Sequence, residues 1–363
     1  MTTHRRRLLL VAVTLVQMAL AAVYLETLTS RPDWSAVHAE DSRGYLRVAR
    51  YLGGEPVPAD EEQALRYRLF NPVVPALAAL LRPLVGLEAA FLLVNGVLWI
   101  LAALVFFEIL AREGTGAAWI GAAAFTTSLP LIEWGLPVMV DTAAWLLVAV
   151  AWLVLRREDV TAGRAAVLGL VLGVAVLTKP TLLTLVAFAA IVLLLRRQWT
   201  ATVLSVAIAG GLALAVYAAF GLRPEDFTSL GAPRHRGVVY VASAALVCFH
   251  WGWPFAVAGF RRLDAGRRRD LLVYFAAFFV PFLAFVHSPR LFFLAYPAVL
   301  IPAAVGLDRF CDGSAWHRRR GFVVAAYAVT SNVLAVVHLF VMRVLDLRGW
   351  GDLTAFVGQW LGG

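Results

Sequence analysis

HRRRLLLVAVTLVQMALAAVYL, residues 4–25, opens the chain with three arginines followed by a long apolar run. An α-helix needs about 20 apolar residues to cross the hydrocarbon core of a bilayer. The basic start is also found in secretory signal peptides, but this apolar run is long and further apolar runs follow it. The stretch therefore predicts an uncleaved first transmembrane helix.

The composition extends this conclusion to the whole chain. Hydrophobic residues make up 61% of its 363 residues and charged residues 15%, and its mean hydropathy is +0.78, which excludes a soluble domain. Apolar runs of membrane length recur, and each ends at arginines or at a proline or glycine. The sequence predicts an all-α fold, a polytopic transmembrane helix bundle of about 11 spans.

The arginines set the orientation of these spans, because cytoplasmic loops carry an excess of basic residues. If the first arginines lie inside, the later arginine clusters fall on the same side. These loops account for most of the net charge of +9, and nucleic acid is not expected as a partner because its binding modules are absent. We predict a multi-pass cell-membrane protein with a cytoplasmic N-terminus and spans near 8–28, 87–111, 116–130, 139–155, 165–178, 181–195, 200–221, 237–260, 270–286, 291–307 and 321–345.

A polar segment follows the first span and is predicted to form an outer loop, residues 29–82. Residues 69–82 are too short to span the membrane and contain two prolines, so we expect a helix lying at the outer interface. The loop belongs to a single predicted transmembrane domain, residues 1–345. Residues 346–363 are predicted to be a short outer tail.

The same loop contains HAEDSRGYLRVARYL, residues 38–52, where charge is concentrated. Helical spacing from Ser42 puts three arginines on one face, and Tyr45 belongs to the adjoining apolar face; the arginines are Arg43, Arg47 and Arg50. Such a helix is expected to lie on the membrane, its guanidinium groups near phosphates. Asp41 would cap its N-terminus. A capping aspartate with arginines that hold lipid headgroups is the simpler alternative.

Four predicted spans are short: 116–130, 139–155, 165–178 and 181–195. At 1.5 Å per residue, a 14-residue helix reaches about 21 Å, less than a hydrocarbon core of about 30 Å. Their outer ends are therefore expected to surround a recess, and they carry Glu133, Asp141 and Lys179. Charge inside a membrane is costly and marks function by default. For Glu133, a position among the lipid headgroups is the alternative.

Several enzyme classes are excluded by missing motifs. The chain has no HExxH zinc motif and no GxSxG nucleophile elbow. A Walker A loop needs a lysine after glycine, whereas the only lysine, Lys179, follows Thr178. Cys248 and Cys311 lie in different contexts and imply no disulfide.

The outer side instead collects carboxylates and cations. A transfer reaction from a lipid-linked phosphate needs both, because one carboxylate removes the acceptor's proton and cations stabilise the leaving phosphate. Arginine suits this role because its planar fork binds phosphate oxygens in pairs. The candidates are Glu40, Asp41, Asp60, Arg66, Arg68, Asp141, Lys179, His287 and Arg290.

Five stretches carry a resemblance to a known family. They are AEDSRGYLRVARYLGGEP, YRLFNPVVPALAALL, MVDTAAWLLVAVAWLVL, GLVLGVAVLTKPTLL and HSPRLFFLAYPAVLIPAAVGL. In order and arrangement the chain resembles the integral membrane glycosyltransferases of the GT-C class, which include protein O-mannosyltransferases and aminoarabinose transferases of lipid A. The resemblance covers most of residues 1–310 and implies an inverting transferase, active at the outer face, that takes its sugar from a polyprenyl phosphate.

The resemblance also implies roles for particular residues. The catalytic base of the family is an acidic residue in the first outer loop, which Asp41 matches best, with Glu40 adjacent. Cations that meet the donor phosphate correspond to Arg66, Arg68, Lys179 and Arg290. Further substrate contacts are expected from Arg43, Tyr45, Asp60, Asp141 and His287. The sequence has no tight acidic cluster that demands a divalent cation, although Asp41, Asp60 and Asp141 could assemble a site for one.

Two other functions stay open at this point. Buried charge near broken helices also fits a transporter or flippase for an anionic lipid or solute, and an inactive scaffold subunit is a third alternative. A transporter needs polar residues through the whole membrane depth, whereas the inner halves of these spans are nearly pure Ala, Val and Leu. This asymmetry favours a one-sided enzyme, whose acceptor is a lipid, a glycan or a protein.

Overall fold

The computed structural model describes residues 3–29, 39–157, 159–223, 225–226, 238–285, 289–312 and 319–344. The regular structure of these residues is helical throughout. The α-helices are α1 (Thr3–Thr29), α2 (Ala39–Leu52), α3 (Glu62–Arg68), α4 (Val73–Val85), α5 (Leu87–Ala111), α6 (Thr115–Thr126), α7 (Leu129–Trp134), α8 (Asp141–Leu155), α9 (Ala162–Thr178), α10 (Leu183–Leu195), α11 (Trp199–Ala219), α12 (Val238–Phe249), α13 (Gly252–Phe260), α14 (Ala265–Phe285), α15 (Pro289–Phe292), α16 (Tyr296–Phe310) and α17 (Arg320–Val344). One-turn 3-10 helices lie at Ala59–Glu61, Pro180–Leu182 and Phe293–Ala295.

The predicted fold class, an all-α multi-span membrane protein, is confirmed. Among the described residues, 5 helical segments are long and apolar enough to cross a membrane, or up to 7 if each of two bent helix pairs counts as one span. Helices α8, α9 and α10 are apolar but shorter. They correspond to the predicted short spans near 139–155, 165–178 and 181–195. The count of eleven stays a prediction.

Helix α5 organises the core, since α1, α4, α6 and α8 all pack against it. Aromatic rings fill the space between α5, α6 and α16: Phe106 lies edge-on to Tyr296, with ring centroids 5.1 Å apart. At the crossing of α13 and α16 the backbones touch, because a Cβ on Gly259 would stand 1.8 Å from the carbonyl oxygen of Pro302.

The single span predicted at 237–260 is wrong in one respect, because it is broken. Helices α12 and α13 meet at an angle of 86°, and His250 between them has a φ of +30°. The cause is Pro254, whose ring would clash with the carbonyl of the residue four positions earlier in a continuous helix. That residue is His250.

Two expectations for α2 are also corrected. The helix begins at Ala39, not at Ser42, so Asp41 lies within its first turn and does not precede it as a cap. Its apolar face is covered by protein: Val48 is buried against Leu65 and Leu69. The loop folds back over α2 and thereby removes this face from the bilayer.

Helix α4, Val73–Val85, covers most of residues 69–82, and its position at the membrane interface stays a prediction. Val74 and Ala78 are buried against the bundle, whereas Leu80 and Leu84 are 75% and 79% exposed. Large apolar side chains on an open helix face suit contact with lipid. The tail, residues 346–363, lies outside the described residues.

Candidate active site

Asp41 accepts hydrogen bonds from two arginines, one at each carboxylate oxygen. Arg68 Nη2 donates to Asp41 Oδ1 and Arg290 Nη2 donates to Asp41 Oδ2. These residues come from the first turn of α2, the last residue of α3 and the short helix α15. A carboxylate that pairs with two guanidinium groups ties three separate segments of the chain together.

Arg68 is held by aromatic rings as well as by Asp41. Its guanidinium carbon lies 5.2 Å from the centroid of the Tyr45 ring and 5.0 Å from that of the Tyr67 ring. The negative face of an aromatic ring attracts a cation at such distances. Arg68 is therefore oriented before any ligand arrives, and Tyr67 is a contributor that the sequence analysis did not identify.

Arg290 reaches a second carboxylate. Its Nη1 lies 3.5 Å from Asp141 Oδ2 and 3.7 Å from the sulfur of Met139. Asp141 is 1% exposed and is the first residue of α8. A carboxylate is stabilised there by the positive end of the helix dipole, so its place in the fold suits an anion.

Lys179 completes the arrangement by donating to Asp141 Oδ1. Pro180 makes the helical region unfavourable for the residue before it, and Lys179 is extended, with φ −157° and ψ 112°. Helix α9 therefore ends at Thr178, where a cation is favoured. The contact with Asp141 is a buried ion pair. Each partner depends on the other, because a buried charge without a partner of opposite sign is costly.

Five residues thus form an alternating chain of charges, here named the charge cluster: Arg68, Asp41, Arg290, Asp141 and Lys179. Burial alone would raise the pKa of the Asp41 carboxyl, but the charges of Arg290 and Arg68 outweigh burial and hold that pKa well below its usual range. Asp41 is therefore ionised in the unliganded protein across the physiological pH range.

A buried amide side chain, that of Asn95, holds the segment that precedes Asp141. Asn95, in the middle of apolar α5, donates from Nδ2 to the carbonyls of Pro137 at 2.7 Å and Met139 at 3.2 Å. Thr142 Oγ1 donates to the Gly135 carbonyl at 2.8 Å. These three hydrogen bonds fix the segment that leads into α8. Sequence analysis missed Asn95, although a lone amide in an apolar span is a visible signal.

The other predicted site residues lie apart from the charge cluster or beside it. Tyr45 is buried under Arg68. Arg66 pairs with Glu62 at 3.3 Å and is 3.8 Å from Asp226. Arg43 and Asp60 are exposed, and no contact within the described ranges joins either to the charge cluster.

The side chains of two predicted site residues are outside the described part of the chain. Glu40 belongs to α2, but its side chain is not described, and His287 lies wholly outside the described ranges.

Glu133 is buried and does not lie among headgroups: it is 2% exposed and bonds to His338 of α17. The two residues form a buried acid–imidazole pair that sequence spacing could not reveal, because 205 positions separate them.

A divalent cation would need three or more suitable ligands in one place. No such group of His, Cys, Asp or Glu side chains occurs among the described residues. The expected assembly of Asp41, Asp60 and Asp141 is not formed, because Asp41 and Asp141 meet arginine and lysine and Asp60 is exposed.

The sequence matches no protein-family model and no curated protein, but the fold matches solved structures. ArnT from Cupriavidus metallidurans, solved with bound undecaprenyl phosphate, is similar with a TM-score of 0.64 and 17% identity over 96% of this chain and 77% of that one. An oligosaccharyltransferase from Archaeoglobus fulgidus, in its apo form, has a TM-score of 0.50 and 15% identity, covering 90% of this chain and 56% of that one.

Both proteins are GT-C glycosyltransferases. At such identities a structural likeness establishes the fold, and it extends over nearly the whole of the present chain. The sequence resemblance is therefore confirmed at this level: the chain has the fold of the GT-C membrane glycosyltransferases.

Proposed function

We propose that this protein is an inverting membrane glycosyltransferase that moves a sugar from a polyprenyl-phosphate-linked donor to an acceptor. The observation that carries the proposal is the charge cluster, in which a carboxylate lies beside two arginines, the side chain whose planar fork suits phosphate. Two further facts support it: the GT-C fold, and undecaprenyl phosphate as the ligand bound to the similar ArnT.

In this proposal Asp41 is the general base. It accepts the proton of the acceptor hydroxyl as that oxygen attacks the anomeric carbon, and the sugar leaves phosphate with inversion in a single displacement. A phosphate leaving group needs no protonation, so a second, acidic carboxyl group of the kind glycosidases use is dispensable. Asp41 lies at the rim of the cluster, with 24% of its side chain exposed.

Arg68 and Arg290 are proposed to bind the donor phosphate, and Lys179 to reinforce them. Charged hydrogen bonds to the phosphate oxygens stabilise the negative charge that grows on the leaving group. Once phosphate shares these guanidinium groups, they stabilise the Asp41 carboxylate less, and its pKa rises toward that of a working base. Arg66, Arg43, Asp60, Glu40 and His287 stay secondary candidates for substrate contacts.

The proposed location is the plasma membrane, with a cytoplasmic N-terminus and the active site on the outer face. The distribution of arginines supports it, because the arginine-rich connections after α8, α10 and α13 would then all face the cytoplasm. The acceptor is a lipid, glycan or protein.

The test is an assay of the purified protein with a panel of polyprenyl-phosphate sugars and a membrane extract as the acceptor source. Transfer predicts equal amounts of glycosylated acceptor and free polyprenyl phosphate. A lipid that crosses the bilayer of proteoliposomes intact, with no polyprenyl phosphate released from any donor, would instead favour the flippase alternative and refute the proposal.

A further inference from the structure

The charge cluster does not balance by itself. Among the described residues it holds three cations, Arg68, Arg290 and Lys179, against two carboxylates, Asp41 and Asp141. Its side chains are at most 24% exposed. Because uncompensated charge in a poorly hydrated place is costly, a cluster with one surplus positive charge is matched to one additional negative charge.

We propose that the cluster is matched to a singly charged phosphodiester, and that after transfer Asp41 keeps the acceptor's proton, so that the product is bound as a phosphomonoester dianion. This inference rests on the proposed function and adds the charge state of each lipid that the site accepts. It also predicts that the product lipid binds and leaves together with a proton.

The reaction keeps the cluster neutral from start to finish. The acceptor O–H bond breaks and its proton moves to the Asp41 carboxylate, while the acceptor oxygen forms the new bond to the anomeric carbon. The bond from that carbon to the phosphate oxygen breaks, and its electron pair stays with phosphate. The phosphodiester monoanion becomes a dianion while Asp41 loses its charge, so the sum inside the cluster does not change.

The geometry assigns the proton to Asp41 and not to Asp141. The Asp141 side chain is 2% exposed and pairs with Lys179 at the first turn of α8, so it still has a cation beside it when phosphate takes Arg68 and Arg290. The two cations that pair with Asp41, Arg68 and Arg290, are also the proposed phosphate ligands, and the Asp41 side chain is the more exposed of the two carboxylates, at 24%. When a dianion takes Arg68 and Arg290, Asp41 is the carboxylate that loses its partners.

A measurable linkage follows for the product. At about pH 8 a free phosphomonoester is already a dianion, because its second pKa is near 6. Binding of the phosphomonoester should therefore take up about one proton per site. Its affinity should fall about tenfold for each pH unit above the second pKa of the phosphomonoester. A phosphodiester has no second ionisation and should bind without proton uptake.

The experiment uses the full-length protein in detergent micelles and two probes, polyprenyl phosphate and its methyl phosphodiester. Calorimetric titrations at about pH 8, in two buffers of different ionisation enthalpy, count the protons taken up. We expect about one proton for the monoester and about none for the methyl ester. Equal proton uptake for the two probes would overturn the inference, whereas failure of both probes to bind would overturn the proposed function itself.

Two further measurements assign the proton. Asp41→Asn should bind the monoester with about no proton uptake, while Glu55→Gln, which removes an arginine-paired carboxylate outside the cluster, should keep the wild-type uptake. Uptake that persists in Asp41→Asn would overturn the assignment. Phosphorus NMR of the wild-type complex gives an answer without any variant, since the bound monoester must have the chemical shift of a dianion and not that of a monoanion.

Discussion

Asp41 combines two demands that oppose each other. A general base must be able to take up a proton near the working pH, yet the charges of Arg290 and Arg68 outweigh the effect of burial and leave Asp41 with a lowered pKa. The two demands agree only if the arginines act on phosphate when the donor is bound. Single-residue changes can test this, because each arginine contributes to the same pKa.

Arg68→Met should shift the acid limb of the pH dependence of kcat/KM to higher pH. Loss of a nearby positive charge removes an interaction that favours the carboxylate, so the pKa of Asp41 rises and the base becomes protonated at a higher pH than in the wild type. Arg82→Met is the matched control, because Arg82 pairs with Glu55 outside the charge cluster. A limb that moves equally in both variants would speak against the role of Arg68.

Lys179→Met should lower the free energy of unfolding by about 3 kcal/mol, because it leaves the buried Asp141 without its closest cation. The double variant Lys179→Met/Asp141→Leu should regain most of that loss, and chemical unfolding without donor measures both. The phosphate role of Lys179 predicts in addition that Lys179→Met loses about tenfold in donor affinity, the scale of a charged hydrogen bond. Full stability of Lys179→Met would contradict the ion pair.

Among the elements, α2 shapes the site through a glycine. A Cβ on Gly44 would stand 2.9 Å from Cγ and Nε of Arg68, so Arg68 crosses the helix where a side chain is absent. The arginine reaches Asp41 along this path. Helix propensity alone would favour alanine over glycine here by about 1 kcal/mol.

Gly44→Ala should therefore keep α2 folded while it displaces Arg68 and weakens donor binding about tenfold, the scale of one charge-assisted hydrogen bond. Gly163→Ala is the matched control, because a Cβ there meets nothing within 4 Å. Thermal unfolding and titration with a polyprenyl phosphate measure the two effects. Unchanged affinity in Gly44→Ala would show that the position of Arg68 does not matter.

The ends of the helices and their surroundings differ in how far the sequence alone predicts them. The span predicted near 165–178 ends at the same residue as α9, because Pro180 restricts the backbone of the residue before it. Pro254 carried a similar signal for the break between α12 and α13, which a count of apolar residues overlooked. The predicted start of α2 at Ser42 differs by three residues from the observed start at Ala39. Its periodicity shows that one face is apolar but not whether lipid or protein covers that face.

At the scale of the whole molecule, the fold class follows from the lengths of the apolar runs, since each run can satisfy its backbone only as a helix. The charge cluster does not follow in the same way. Asp41 and Arg290 lie 249 positions apart, so their contact depends on where the fold places α2 and α15. Residue types alone predict a phosphate site, whereas the structure is needed to show that Arg68 joins the charge cluster and that Arg66 pairs with Glu62 instead.

The orientation of the molecule is a separate prediction. Residues 29–68 and the turn at 288–290 should lie outside, and the loops at 261–269 and 311–320 inside, because arginines concentrate in the latter. In a chain without Cys248 and Cys311, single cysteines at positions 35 and 314 should react with an impermeant reagent from opposite sides of the membrane. Labelling of both from one side would contradict this topology.

The central claim is that Asp41 is the base of a sugar transfer from a polyprenyl phosphate. The most direct test is the single-turnover rate of Asp41→Asn with bound donor, compared with that of Glu40→Gln. Asparagine keeps the size of the side chain but cannot accept the proton, so the rate should fall by about 100-fold or more, while Glu40→Gln stays near the wild type. A near-normal rate for Asp41→Asn, with donor bound, would contradict the account.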